Sequence, residues 1–284
     1  MSANYDLHSH NLHSYDLHCH STASDGVLTP TEVVQRAALQ GVTVLALTDH
    51  DTISGLDEAA LEAQKQGIRL INGVEISTSW QNRGIHIVGL NFDKTNQQIN
   101  ALLAKQAELR QQRAIDIAKK LEKAGIENAF EGAKSLANGE VTRAHYARYL
   151  VQIGRVKDEN QAFKKYLAQG KSAYVKAEWI DIETAIKAIH QAGGLAVLAH
   201  PLRYTLTNKW IKNLIADFKS WGGDGIEVAG CNQTKDQRLL LARWAAEYDL
   251  LASVGSDFHF PCGWVELGKS LQLPETCQPI WSYW

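Results

Sequence analysis

The chain has 284 residues, 45% of them hydrophobic and 21% charged, with a formal net charge of −2. That is an ordinary globular composition, and a chain this long buries roughly 75% of its unfolded surface, so it suits one large domain, with or without an insert. It excludes collagen, coiled coil and disorder, and no apolar run approaches the ~18 residues that cross a membrane.

Cys19, Cys231, Cys262 and Cys277 show no CxxC pairing, and residues 1–20 are rich in His and Asp rather than in the apolar residues of a secretory signal. Reduced thiols and a cytoplasmic location are expected. Charge is uneven: residues 97–180 carry 15 Lys and Arg against 9 Asp and Glu, the rest 14 against 22. An acidic body suits metal ions, and a basic middle segment suits phosphates.

Seven short apolar, β-branched runs read as buried strands: Tyr15–Leu17, Val42–Leu47, Arg69–Ile71, Ile85–Gly89, Leu195–Leu198, Gly225–Val228 and Leu251–Val254. Helical patterns lie between most of them. Thr31–Gln40 follows the Thr29-Pro30 cap, Ser54–Gly67 ends on a glycine, Ile182–Ala192 ends at Gly193-Gly194, and Thr234–Tyr248 precedes the last strand. The alternation predicts a parallel α/β barrel from residues 15–96 and 181–284. Residues 97–180 break it with a helical insert. Its long first helix has Ile99, Leu102, Leu103, Leu109, Ile115, Ile117 and Leu121 on one stripe, with Arg110, Arg113, Lys119 and Lys120 off it, and shorter helices follow near Arg143–Ile153 and Asn160–Leu167.

Polar residues gather where these strands end. The first leads to His18-Cys19-His20 and Asp25, the second to His50, the third to Glu75; the fourth contains His86, the fifth leads to His200, and the seventh to Asp257 and His259. Strand C-termini of a parallel barrel converge on one face, and spacing of two puts His18 with His20, and Asp257 with His259, on one side of a strand. Imidazole and carboxylate without thiolate suit Zn, Mn or Fe. Nine ligands are too many for one ion, so two or three ions are expected, with Glu75 the bridging carboxylate. Asp49, Asp51 and Glu227 are expected to support the ligands, Cys19 to pack, and His145 and His190 to lie on helix surfaces.

His18-Cys19-His20-Ser21 with Ser24-Asp25-Gly26, Leu47-Thr48-Asp49-His50-Asp51, Gly73-Val74-Glu75-Ile76-Ser77, Ala199-His200-Pro201 and Gly255-Ser256-Asp257-Phe258-His259 resemble the PHP (polymerase and histidinol phosphatase) family. Val141-Thr142-Arg143 with His145, and Phe163-Lys164-Lys165-Tyr166-Leu167, resemble its branch of 3′,5′-nucleoside bisphosphate phosphatases and 5′→3′ exoribonucleases. The resemblance implies a distorted (β/α)7 barrel with a trinuclear metal centre. It assigns His18, His20, Glu75 and Asp257 to the first ion, Glu75, His86 and His200 to the second, and Asp25, His50 and His259 to the third. Many relatives have His in place of Asp25; the carboxylate favours Mn2+ over Zn2+ or Fe2+. Tyr5-Asp6-Leu7-His8-Ser9-His10 nearly duplicates Tyr15-Asp16-Leu17-His18-Cys19-His20, but only the second copy has Ser24-Asp25-Gly26 at the family's distance, so residues 1–14, with His8, His10 and His13, form an extra tail.

The implied reaction is attack of metal-activated hydroxide on the 3′-phosphate of a nucleoside 3′,5′-bisphosphate, or on the first linkage of a short single-stranded RNA, with His200, His259 and Asp257 as catalytic residues. The second phosphate needs a cationic clamp. Arg143 and Arg203 come first, then Lys164, Lys165 and Lys171, with the insert acting as a lid. Tyr204 and Trp179 are candidates to stack on the base or to pack in the core. Neither a membrane nor an obligate protein partner is expected. Competing readings are a histidinol-phosphate phosphatase, which needs no second clamp, a non-catalytic PHP module and a metal-dependent C–N hydrolase.

Overall fold

The computed structural model describes residues 13–284. His8 and His10 lie outside the described residues; His13 is exposed, its Nδ1 3.4 Å from Thr43 Oγ1. Seven strands, β1 (Tyr15–Asp16), β2 (Val44–Leu47), β3 (Arg69–Trp80), β4 (Arg83–Leu90), β5 (Leu195–Leu198), β6 (Gly225–Ala229) and β7 (Leu251–Val254), pair in chain order. Leu17 N donates to Val254 O (3.1 Å) and Asp257 N to His18 O (2.8 Å), which curls the sheet nearly closed. Each strand, or the residue just past it, contributes to one apolar cluster that includes Leu17, Val44, Ile71, Val88, Val197, Ala229 and Val254. A cluster fed by every strand fills the barrel interior.

The wholly parallel arrangement expected from the sequence is not found. β4 runs antiparallel to both β3 and β5. Gln81 (φ 45°) and Asn82 (φ 64°) form a two-residue turn with both residues left-handed, the geometry that folds twisted strands into a hairpin. The reversal matters to the site. β4 enters at the rim, so His86 near its start lies at the same end as the C-termini of the parallel strands. The register sets His86 opposite Ser77, on the face that Glu75 shares by alternation.

Helices α1 (Pro30–Leu39) and α2 (Leu56–Gln66) pack on each other, α1 against β2 and α2 against β3. α1 starts at a Thr29/Glu32 capping box with Pro30 in its first turn, and α2 ends at Gly67 (φ 69°). The middle segment contains α3 (Gln97–Lys123), α4 (Ala129–Lys134), α5 (Arg143–Gln152), α6 (Glu159–Ala162) and a π-helical turn over Phe163–Leu167. α3 straddles two cores. Ile99, Leu102 and Leu103 pack with the barrel's outer helices, whereas Ala114, Ile117 and Leu121 join Tyr146, Leu150 and Leu167 in a core of the middle segment. The barrel is completed by α7 (Ile182–Gln191), α8 (Asn208–Ser220) and α9 (Lys235–Glu247). α4 and α8 lie outside the helices expected from the sequence, although Ile211, Leu214, Ile215 and Phe218 of α8 are buried at helical spacing. Among the described residues no helix is long and apolar enough to cross a membrane.

Candidate metal centre and substrate cleft

Nine side chains meet at the rim: His18, His20, Asp25, His50, Glu75, His86, His200, Asp257 and His259. Their backbones are anchored first. The buried Asp16 carboxylate accepts from Ser256 N and Gly268 N, both at 2.9 Å, tying the first strand to the last; burial raises its pKa to about 6. A Cβ on Gly255 would stand 2.2 Å from His18 Cβ, so only glycine lets these chain segments approach. His200 (φ 29°) and Asp257 (φ 52°) sit in left-handed backbone, a strained setting that recurs at functional sites.

Glu75 is the hub. Its Oε1 is 2.8 Å from His86 Nδ1, 3.0 Å from His200 Nε2 and 3.3 Å from His18 Nε2; its Oε2 is 2.9 Å from His50 Nδ1 and 3.3 Å from His20 Nε2. On the first side, His20 Nε2 is 3.1 Å from Asp257 Oδ1. On the other, Asp25 Oδ1 is 3.4 Å from His259 Nε2 and 3.7 Å from His50 Nε2. Three groups each bring their donor atoms within 4.8 Å of one another: His18, His20, Glu75 and Asp257; His50, Glu75 and His86; and His20, Asp25, His50 and His259. His50 thus joins Glu75 and His86 in the middle group, where the family resemblance places His200.

Outer groups fix the ring orientations. Glu227 Oε1 is 2.5 Å from His18 Nδ1 and its Oε2 accepts from His200 N (2.6 Å). The Glu227 contact leaves His18 Nε2 facing the bowl. Asp49 accepts from Ser21 N, Ser21 Oγ and Ser24 Oγ, fixing the loop that carries Asp25. Cys19 is fully buried, its Sγ 3.3 Å from Ala46 O.

The charge state suits cations. Burial opposes ionisation of the three carboxyls, yet His86 and His18 beside Glu75, His50 and His259 beside Asp25, and His18 and His259 beside Asp257 hold all three well below the usual range. Burial, then His259 and His50, push His20 down to about 3, leaving it neutral. Among the described residues, three buried atoms at the bowl, Asp25 Oδ1, His50 Nδ1 and Glu75 Oε2, have no hydrogen-bond partner. His50 Nδ1 and Glu75 Oε2 are close enough to bond and do not. Buried polar atoms are normally paired, so this set fits divalent ions held by imidazole and carboxylate.

Above the bowl lies a cleft of about 480 Å³, with Asp25, His50 and His86 below and Arg83, Arg110, Arg113, Arg143, Lys176 and Arg203 around it. That volume suits a nucleotide-sized ligand. Trp179 is central, with Arg110 and Arg113 guanidiniums 5.1 and 5.5 Å from its ring. Burial, together with Arg143 and Arg110, lowers the Arg113 pKa to about 9, and among the described residues its guanidinium donates only to Val175 O, at 3.3 Å. Arg143 stands 5.7 Å over Phe163. Arg113 and Arg143, brought together with no carboxylate partner among the described residues, suit an anion.

Several sequence expectations change here. Arg110 is not off the buried stripe: it is 8% exposed, with Nε 2.7 Å from Asp51 Oδ2 and Nη2 donating to Ser77 Oγ (2.8 Å). It follows Leu103 and Gln106 on α3's barrel-facing side. His145 is not a surface residue; it is 2% exposed, and its Nδ1 accepts from Thr142 N (3.0 Å) as part of a helix cap. His190 is exposed and pairs with Asp224 (2.8 Å). Arg203 lines the cleft while ion-paired to Asp257. Lys164, Lys165 and Lys171 are exposed and do not line it, because the π-helical turn gives its buried side to Tyr166 and Leu167. Tyr204 OH accepts from His86 N (2.9 Å). Sequence reasoning missed Arg83, Arg110, Arg113 and Lys176 as lining residues. Arg83 follows the unforeseen hairpin turn and had no signal; for the other three the signal was the positive excess of residues 97–180.

The sequence pattern of the PHP domain matches residues 16–192, and the chain belongs to that family. It is 69% identical over 281 residues to a 5′-3′ exoribonuclease of Haemophilus influenzae, covering 99% of both chains. It is 46% identical over 282 residues to a 3′,5′-nucleoside bisphosphate phosphatase of Chromobacterium violaceum, covering 98% of this chain and 95% of that one. Among solved structures, an amidohydrolase from Chromobacterium violaceum with bound sulfate and no metal superposes with a TM-score of 0.90 at 45% identity, over 95% of each chain.

Proposed function

We propose that this protein is a metal-dependent phosphoesterase that hydrolyses the 3′-phosphate of nucleoside 3′,5′-bisphosphates and removes nucleotides from the 5′ end of short RNA. The observation that carries the reading is the pairing of a carboxylate–imidazole bowl centred on Glu75 with a cleft walled by arginines. His18, His20, Glu75 and Asp257 would hold one divalent ion, Glu75, His50 or His200, and His86 a second, and Asp25, His50 and His259 a third, with Mn2+ the expected metal. Bound there, the ions supply a nucleophile from water at neutral pH and offset charge on the phosphoryl oxygens.

The protein's own groups do the rest. Glu227 holds His18 and the His200 backbone in position. Arg113, Arg143 and Lys176 bind the second phosphate, and Trp179 offers a flat surface beside it. Arg203 holds Asp257 in place, and the half-buried His200, where His50 takes the second ion, serves proton transfer at the departing O3′. A histidinol-phosphate substrate would leave the arginine wall without a partner. The test is phosphate release by Mn2+-loaded protein from adenosine 3′,5′-bisphosphate, adenosine 3′-monophosphate and histidinol phosphate. Release from the bisphosphate well above the other two is expected; a preference for histidinol phosphate would overturn the assignment.

A further inference from the structure

We infer that a second chamber, meeting the cleft at His50, receives the second nucleoside of an RNA substrate. The inference rests on the phosphoesterase reading above. In a bisphosphate and in RNA the same bond breaks: water adds to phosphorus, and O3′ of the first nucleotide leaves and takes a proton. In the bisphosphate the phosphoryl group ends there and departs as inorganic phosphate. In RNA it continues through O5′ into the next nucleoside and stays with the shortened chain. One bowl can serve both substrates only if a second passage leads away from it.

The structure contains a second space beside the bowl. A chamber of about 440 Å³ lies between α3, the loop after His50 and the segment around Gly139. It shares His50, Arg110 and Thr142 with the arginine cleft, so these three side chains stand at the partition between the two spaces and His50 ties both to the bowl. The Arg110 side of this partition is fixed, because Asp51 and Ser77 grip its guanidinium. The other boundary is also tight: a Cβ on Gly139 would stand 2.4 Å from Ala23 O, so the middle segment rests directly on the barrel rim.

The two spaces differ in chemistry. Ile53, Leu103, Ala104 and Ala107 give the chamber apolar walls, with Ser54 and Asn100 at its edge. Among the described residues lining it, Arg110 is the one guanidinium or ammonium group, and Asp51 already neutralises it; Glu140 adds negative charge. A phosphate gains nothing there, whereas a ribose and base find apolar contact and a few hydrogen-bonding groups. The first nucleotide, with two phosphates, belongs in the arginine cleft, and the second nucleoside belongs in the chamber.

The test fills the chamber from opposite walls with Ala104→Trp and, separately, Ser54→Trp, both at exposed positions. For each variant, kcat/KM is measured with Mn2+ on adenosine 3′,5′-bisphosphate and on 5′-phosphorylated diadenylate. Loss of the apolar contact of one enclosed base predicts a fall of about tenfold or more on the dinucleotide, with the bisphosphate rate retained as proof of an intact fold and bowl. Unchanged rates on both substrates, or equal losses on both in the two variants, would overturn the inference. Wild-type protein inactive on both would instead remove the phosphoesterase reading beneath it.

Discussion

Asp25 and Arg113 line the same cleft from opposite sides, and each is stabilised differently. Asp25 is embedded among imidazoles that hold it ionised, on a loop braced by Asp49 and two serines. Arg113 is surrounded by other arginines and an indole, and burial works against its charge. The bowl is rigid and draws on segments from residue 18 to residue 259. Most of the cationic wall comes from one continuous insertion between β4 and β5. On the proposed function, reaction chemistry and substrate choice fall on different parts of the fold, so substitutions in one should spare the other.

The largest expected effect is at the shared carboxylate. Glu75→Gln removes the charge that two donor groups have in common, and turnover of every phosphate ester should fall by roughly a thousandfold, as when a main source of transition-state charge stabilisation is lost. Metal content by mass spectrometry should fall with it; a fully metallated, active variant would break the assignment of the bowl. His18→Ala should likewise lower metal content and abolish most turnover, whereas His8→Ala should do neither. The reverse outcome would move the site to the duplicated tail. Glu227→Gln is a smaller change, because Glu227 acts through the ring of His18. Metal affinity should drop about 10- to 100-fold, with activity restored at high Mn2+ concentration. Failure of added metal to rescue it would mean Glu227 does more than position His18 and the His200 backbone.

The bowl was largely legible in the sequence because its signals are local. His18 and His20, or Asp257 and His259, declare themselves by spacing of two next to apolar runs, and such runs mark buried strands. The wall was legible only in part: Arg143 and Arg203 were expected there and line the cleft, but Arg83, Arg110, Arg113 and Lys176 were not, for a physical reason. Arg110 is buried only because Asp51, far earlier in the chain, meets it, and a periodicity argument assigns any arginine to solvent. Lys164 and Lys165 carry the same sign of charge as Arg143, and nothing in their spacing reveals that the turn carrying them points outward. The reversal of β4 depended on Gln81 and Asn82 adopting left-handed backbone, which glutamine does not advertise. His86 reached the bowl in spite of the misread strand direction, because antiparallel entry brings the start of β4 to the rim.

The separation of bowl from wall is tested most directly by kcat/KM for adenosine 3′,5′-bisphosphate and adenosine 3′-monophosphate, measured side by side in wild type and Arg143→Ala with Mn2+ saturating. A charge-assisted hydrogen bond to phosphate is worth about 1.5–3 kcal/mol, so the bisphosphate value should fall about 10- to 100-fold. The monophosphate value should stay near wild type. Equal loss on both substrates would contradict the account, because Arg143 would then serve the reacting phosphate or the fold rather than recognition of the second phosphate.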